Sequence, residues 1–264
     1  MGEMADFLLS ELRESRAARG LSQDDFGRLI NYSGSHVSAV ECGNRAPTKE
    51  YVEKVDEALG TGGIYTRLLR RVLTIDAAPV WLREWIEIER EAASLLWFEP
   101  AYVPGALQTP DYARATLAGG RFTPEEVEQR TVSRLERQSL LSREPAPLIV
   151  FVLDEAVLRS GPDSPGLMHA QLQRLVDSAE LPTVQLHVVP ASAGLYLGKA
   201  GAFILAEMPD GSRVAHVDTQ LNAQIVSGPA DIASLGKAWE AVRSEALPRR
   251  QSLDLIKEAA KTWT

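Results

Sequence analysis

The sequence predicts a mainly α N-terminal domain of four or five helices, with a helix-turn-helix among them, followed by an α+β domain with a small mixed sheet. Three observations predict it. Residues 1–62 carry apolar residues at helical spacing, punctuated by single glycines. From Leu148 onward the texture changes to short apolar runs of strand length bounded by turn residues. Between them, "GTGGIYTRLL" (60–69) breaks the first pattern and marks a boundary. The expected organisation is a DNA-binding-type helical domain over 1–62, a helical linker over 63–78, and an α+β regulatory or partner-binding domain over 79–264.

Each element has a local reason. Ser22, Ser33 and Thr48 stand where a hydroxyl can cap a free helix amide, and Gly20, Gly43 and Gly60 stand where a helix end needs positive φ. Four helices follow, at about 6–19, 22–30, 33–42 and 48–59. Asn31 suits the left-handed corner between the second and third. A short helix is expected to run to about Leu73. From Pro79 the stretch "WLREWIEIEREAASLL" reads as helix, with Trp81 and Trp85 on one face. Thr109-Pro110 and Thr123-Pro124 each pair an N-cap with a first-turn proline and open two further helices, the second running to 141. "LIVFVLD" and "TVQLHVVP" read as strands around the helix "GLMHAQLQRLVDSAE", which suggests a parallel pair. "GAFILAEM" and "RVAHVD" read as a hairpin around Pro-Asp-Gly. Helices at roughly 229–246 and 250–262 close the chain.

Composition excludes several classes. Cys42 is the single cysteine, so no internal disulfide framework exists. The N-terminus is acidic where a signal peptide needs basic residues, and no apolar run reaches the roughly 18 residues of a membrane span. The expectation is a soluble cytoplasmic protein without membrane association. The formal net charge of −8 argues against a nonspecific nucleic-acid coat, though not against a local DNA-binding face.

Residues 12–59 resemble the Xre/Cro-type helix-turn-helix family. The resemblance is carried by Leu12-Arg13, Arg16, Gly20-Leu21-Ser22-Gln23, Phe26-Gly27, Val37, Val40-Glu41, Gly43, Pro47 and Leu59. In that geometry the third helix enters the major groove N-terminus first. The resemblance makes Gly34, Ser35 and Ala39 the base-facing positions, with Ser33, His36 and Ser38 beside them. It turns the Gln23 amide toward a phosphate and makes Arg28, Asn44 and Arg45 backbone-contact candidates. Arg16 and Glu41 match a structural pair joining the first helix to the third. Gly27, at the contact of helices two and three, is usually alanine in the family.

Charge then constrains the mode of binding. Between residues 6 and 60 seven basic side chains face ten acidic ones. Affinity must therefore come from a few placed arginines and helix N-termini, with few phosphate contacts per copy. A lone reader is expected to bind poorly, so a homodimer on a double-stranded operator with two half-sites is expected.

The remainder of the chain resembles the long C-terminal domain of WhiJ-like regulators of actinomycetes, through "FEPAYVPGALQTPDYARA" (98–115), "RLERQSLL" (134–141), "FVLDEAVLR" (151–159), "QLHVVPASAGLYLG" (185–198) and "GAFILAEMPD" (201–210). That resemblance implies an antitoxin-like regulator with no established catalysis, whose large domain binds a small, toxin-like partner protein. The alternative is a one-component sensor holding a small molecule. Trp97, Tyr102, Gln108 and Tyr112 are the candidate ligand or partner residues, in an aromatic-rich stretch that could equally be core. Arg130, Arg134 and Arg137 share one side of a helix and read as a salt-bridged surface.

No catalytic residue, metal or cofactor is expected. His169, His187 and His216 show no recognised ligand spacing, and Ser160-Gly161 and Ser192-Ala193-Gly194 lack a nucleophile-elbow pattern. "ASAGLYLGKAG" reads as a flexible loop, and Asp154-Glu155 as a helix N-terminus.

Overall fold

A computed structural model describes residues 3–76, 80–120, 122–162, 164–218 and 223–263. The expected start of a helix at Pro79 and the placement of the Trp81 side chain lie outside the described residues. The chain forms two compact units, residues 1–79 and 80–264.

The first unit holds helices α1 (Glu3–Ala18), α2 (Gln23–Leu29), α3 (Gly34–Glu41), α4 (Lys49–Leu59) and α5 (Ile64–Asp76). The expected caps form. Ser22, Ser33 and Thr48 accept from the amides of Asp25, His36 and Tyr51, and Asn31 turns the corner at φ 57°. Leu12, Phe26, Ile30, Val37, Val40, Val52, Val55 and Leu59 share one core, with Leu21 packed at its margin. Within the segment 63–78, read as a linker, α5 adds Tyr65, Leu69 and Val72 to that core. Asp56, buried in α4, anchors α5 by accepting from the amides of Tyr65 (2.9 Å) and Thr66 (2.8 Å) and from the Thr66 hydroxyl (2.7 Å). Burial alone would push the Asp56 carboxyl up, but the bonds from Thr61, Thr66 and Tyr65 hold it below the usual range.

The second unit is the α+β domain the sequence predicts. Its six strands are β1 (Ser94–Glu99), β2 (Leu148–Asp154), β3 (Val184–Val189), β4 (Phe203–Glu207), β5 (Arg213–Asp218) and β6 (Ala223–Val226). The sheet order is β3-β2-β1-β4-β5-β6; β1, β2 and β3 are parallel, and β4, β5 and β6 continue antiparallel. The expected parallel pair and hairpin are both present. Two strands were not expected. The run read as one helix from 79 divides: α6 (Val80–Glu91) ends and β1 begins. The Ala93 amide donates to Glu207 O and its carbonyl accepts from Leu148 N, so pairing on both sides draws the chain out of the helix. Strand β1 is central and covered on both faces, which leaves no polar alternation to betray it. Strand β6 is only four residues long.

One face of the sheet is covered by α6, α7 (Pro110–Ala118), α10 (Pro165–Ser178) and α12 (Arg249–Lys261), with α8 (Pro124–Glu136) packed on α7 and the short helix α9 (Ala156–Arg159) at the end of β2. The other face lies against α11 (Pro229–Glu245), through Trp239 and Val242. The outer edge of β3 is closed by the approach to α12. Leu247 N donates to Val188 O at 2.8 Å, and Ser252 Oγ accepts from Val188 N at 3.0 Å. No helix among the described residues is long and apolar enough to cross a membrane.

Glu99, at the end of β1, is half-buried and accepts from Trp97 Nε1 at 3.1 Å. Burial pushes its carboxyl up to about 7 against the Trp97 bond, and Asp218 adds to the rise. Raised in the folded state, this group favours folding least once ionised, so its share of stability is lost as pH rises toward and through 7. Glu99→Gln, which still accepts from Trp97, is expected to raise the melting temperature of the second domain at pH 8 by roughly 2–4 °C and to leave it unchanged at pH 4. A pH series of calorimetric scans reads this directly; an equal change at both pH values would count against the buried carboxylate.

Candidate nucleic-acid interface

The candidate DNA-binding residues are brought together by α2, α3 and the turn that follows. Helix α3 buries Val37, Val40 and Glu41 and turns its other side outward. On that side Ser35 is exposed, and Gly34, His36, Ser38 and Ala39 are half-buried. Asn44 and Arg45 are exposed in the turn after α3, and Arg28 on α2 is exposed and paired with Asp25.

The angle between α2 and α3 is set by close backbone approach. A Cβ on Gly27 would lie 2.6 Å from Tyr32 O and 3.0 Å from Gly34 N, so the alanine usual at this position has no room. A Cβ on Gly34 would meet the Asp24 carboxylate and backbone. Gly34 is therefore committed to the α2–α3 contact, and Ser35 is the first side chain of α3 that projects freely.

Glu41 is the hub of the reader. It is 3% exposed and receives a two-pronged bond from Arg16, Nε to Oε1 at 2.6 Å and Nη2 to Oε2 at 2.9 Å. Arg16 Nη1 also donates to Leu21 O at 2.6 Å, at the entry to α2. Gln23 Nε2 donates to Glu41 Oε2 at 2.9 Å, and Arg13 Nη2 to the Glu41 carbonyl at 2.6 Å. Burial alone would push the Glu41 carboxyl up; the bonds from Arg16 and Gln23 reverse this and hold it below its usual range. The Gln23 amide, expected at a phosphate, is thus spent on Glu41 in this structure. Arg13 carries part of the family resemblance, and its bond to a backbone carbonyl has no pattern in the sequence.

His36 is held between aromatic rings. Its ring stacks on Tyr51 with centroids 5.6 Å apart and meets Tyr32 at 4.5 Å, and Arg45 Nη1 lies 3.4 Å from Nδ1. Burial and then the Arg45 charge push the imidazole below its ordinary range. The Ser35 hydroxyl is 3.0 Å from that of Ser33.

The second unit holds the other candidates. Trp97, Gln108 and Tyr112 are 5%, 2% and 3% exposed and belong to the interior, while Tyr102 is 58% exposed. The aromatic stretch is core, apart from Tyr102. A groove of about 890 Å³ lies elsewhere, between α11 and the sheet, against Leu96, Leu205, Ile232 and Trp239. The three arginines of 130–137 do not form one salt-bridged surface. Arg130 lies over the Phe122 ring, Arg134 turns in to Gln108 at 2.9 Å, and Arg137 pairs with buried Glu89 at 2.5 Å. His169 Nδ1 and His187 Nδ1 lie near the carbonyls of Ala260 and Leu247, and the His216 ring meets that of Trp85 at a tilt of 37°. "ASAGLYLGKAG" is held by Tyr196 and Lys199, which both donate to Asp154.

Two family models match the chain: one described as a helix-turn-helix domain, over residues 8–69, and one described as a domain of unknown function (DUF5753), over residues 82–258. No curated protein and no solved structure matches it.

Arg16→Ala leaves a buried carboxylate without its charge partner and is expected to cost the first domain about 3 kcal/mol, read by urea denaturation. Arg13→Ala removes one bond to a backbone carbonyl from an exposed residue and is expected to cost about 1 kcal/mol or less. Equal losses would refute Glu41 as the hub.

Proposed function

The chain belongs to the family of the domain of unknown function DUF5753, and from that premise, with a helix-turn-helix domain ahead of it, we propose that the protein is a sequence-specific transcriptional regulator of the WhiJ-like group. In this reading it is a dimeric, antitoxin-like repressor that acts in the cytoplasm and binds a small partner protein through its second domain. The observation that carries the reading is the outward side of α3. Ser35 and its neighbours project from a helix whose opposite side is locked by Val37, Val40 and Glu41. Small side chains there suit close approach to base edges and thymine methyls.

The dimer follows from electrostatics. Residues 6–60 are net acidic, and Arg28 is already paired with Asp25, so one copy offers few cations to phosphates. Two copies on one operator double the contacts and make the second binding event intramolecular. The reading assigns no reaction to the second domain; its role is to bind.

Operator selection from random DNA with the full chain supplies the test. Ser35→Glu places a carboxylate at the groove and is expected to weaken operator binding at least 100-fold, about 2.7 kcal/mol, with no change in melting temperature. Retained affinity would mean that α3 is not the reading helix. The full chain is further expected to bind a two-half-site operator at least 100-fold more tightly than a half-site, whereas equal affinities would rule out the dimer. Recovery of one small protein in stoichiometric amount with the chain from its native host is the outcome expected of a partner-binding domain.

A further inference from the structure

Helix α11 carries a gap on its apolar side. Ile232, Leu235, Trp239 and Val242 follow helical spacing and turn to the sheet. Gly236 stands on the same stripe, four residues after Ile232 and three before Trp239, where a larger apolar residue is expected. Glycine is the poorest helix former after proline, so its place in mid-helix weakens α11. No close packing demands it. A Cβ on Gly236 would meet nothing within 4 Å, although the residue is half-buried. The missing side chain leaves open space.

That space belongs to the groove of about 890 Å³ between α11 and the sheet, a volume within the range of small-molecule pockets. Its floor is apolar. Leu96 on β1 and Leu205 on β4 are direct cross-strand partners, and Leu96 stays only half-buried in a central strand. Ile232 and Trp239 line the groove from α11. The rung on one side, Phe98–Phe203, is covered, with the Trp239 ring edge-on to Phe203 at 6.5 Å. The rung on the other side is the exposed pair of Glu207 and Arg213. Two cations stand on the walls. Arg213 on β5 gives both Nε (3.2 Å) and Nη2 (2.9 Å) to one oxygen of Glu207, which leaves Nη1 without a partner among the described residues. Lys237 on α11 has neither ion pair nor hydrogen bond among the described residues. Glu240, one turn further along α11, is the one carboxylate among the described residues of the lining.

Shape and charge together select an occupant. The floor asks for an apolar body. An amine would face both cations, whereas a single negative charge answers Arg213 Nη1 and Lys237, and Glu240 opposes a second. We propose that the groove binds an apolar monocarboxylic acid, its chain over Leu96, Leu205 and Trp239 in the space left by Gly236 and its carboxylate at Arg213 and Lys237. The site lies wholly within the second domain and does not rest on the DNA-binding reading, so the two stand or fall separately.

The test uses the full chain with octanoate, decanoate, dodecanoate and phenylbutyrate, each below its micellar concentration, in isothermal titration calorimetry and thermal-shift measurements. At least one acid is expected to bind saturably at one site per chain and to raise the melting temperature, while the alcohol and the amine of the same carbon skeleton bind at least tenfold more weakly. Gly236→Leu fills the groove with a better helix former and is expected to cut affinity at least tenfold without lowering the melting temperature. Lys237→Met alters an exposed side chain and is expected to weaken binding at least fivefold in a protein of unchanged melting temperature. The proposal fails if no acid binds the folded chain, if the alcohol or the amine binds as well as the acid, or if either variant, folded, keeps full affinity. A change of oligomeric state in Gly236→Leu with no acid bound to the parent would give the groove to a second copy of the chain and overturn the proposal as well.

Discussion

The buried carboxylate of Glu41 fixes the helix-turn-helix in shape. Glu41 sits on the inner side of α3, takes both prongs of Arg16 from α1, and takes the Gln23 amide from the start of α2. Three helices therefore meet at two oxygen atoms. Helix α3 is only eight residues long and could not hold its direction alone. The low packing volume of Gly27 and Gly34 then lets α2 and α3 touch backbone to backbone. Position and angle are fixed from the inside, which frees the outer side chains to be small. The acidic surroundings of this helix-turn-helix keep nonspecific attraction to polyanions low.

The second domain depends on a different constraint, the centrality of β1. It pairs parallel to β2 on one side and antiparallel to β4 on the other, so it joins two sheet halves of different topology. Its two faces serve separate cores: Leu95 and Trp97 point to the helices around α10, and Phe98 to α11. The last residue of this strand, Glu99, is where the apolar run ends and a half-buried carboxylate takes the indole N–H of Trp97. The parallel half also brings the carboxyl ends of β1 and β2 to one end of the sheet, where ligands of such sheets usually bind.

Much of this was legible in the sequence, and the division has a physical basis. Ser22, Ser33, Thr48, Thr109 and Thr123 act on amides within three residues, so a local pattern suffices to find them. Asn31 and the glycines at helix ends answer a local demand on φ. The Arg16–Glu41 pair was legible only through resemblance, because its partners are 25 residues apart. What escaped was decided at longer range. "SLLWFE" continues a helical pattern until two other strands claim its backbone. Gln23 and Arg134 look like surface residues at their spacing, and each is turned inward by one distant acceptor. The aromatic stretch 97–112 carries no local sign that distinguishes a pocket wall from an interior; burial settled that for Trp97 and Tyr112.

The closure of β3 has a bearing on how the protein is made. Among the described residues Val188 is bonded on its outer edge only by Leu247 and Ser252, about sixty residues later in the chain. During synthesis from the first residue, β1, β2 and β3 are all available to pair before that segment leaves the ribosome. A bare strand edge is a template for any passing strand. The interval between the emergence of β3 and that of residue 252 is thus the exposed phase of this domain's biogenesis, and α12 ends it as a latch that closes last.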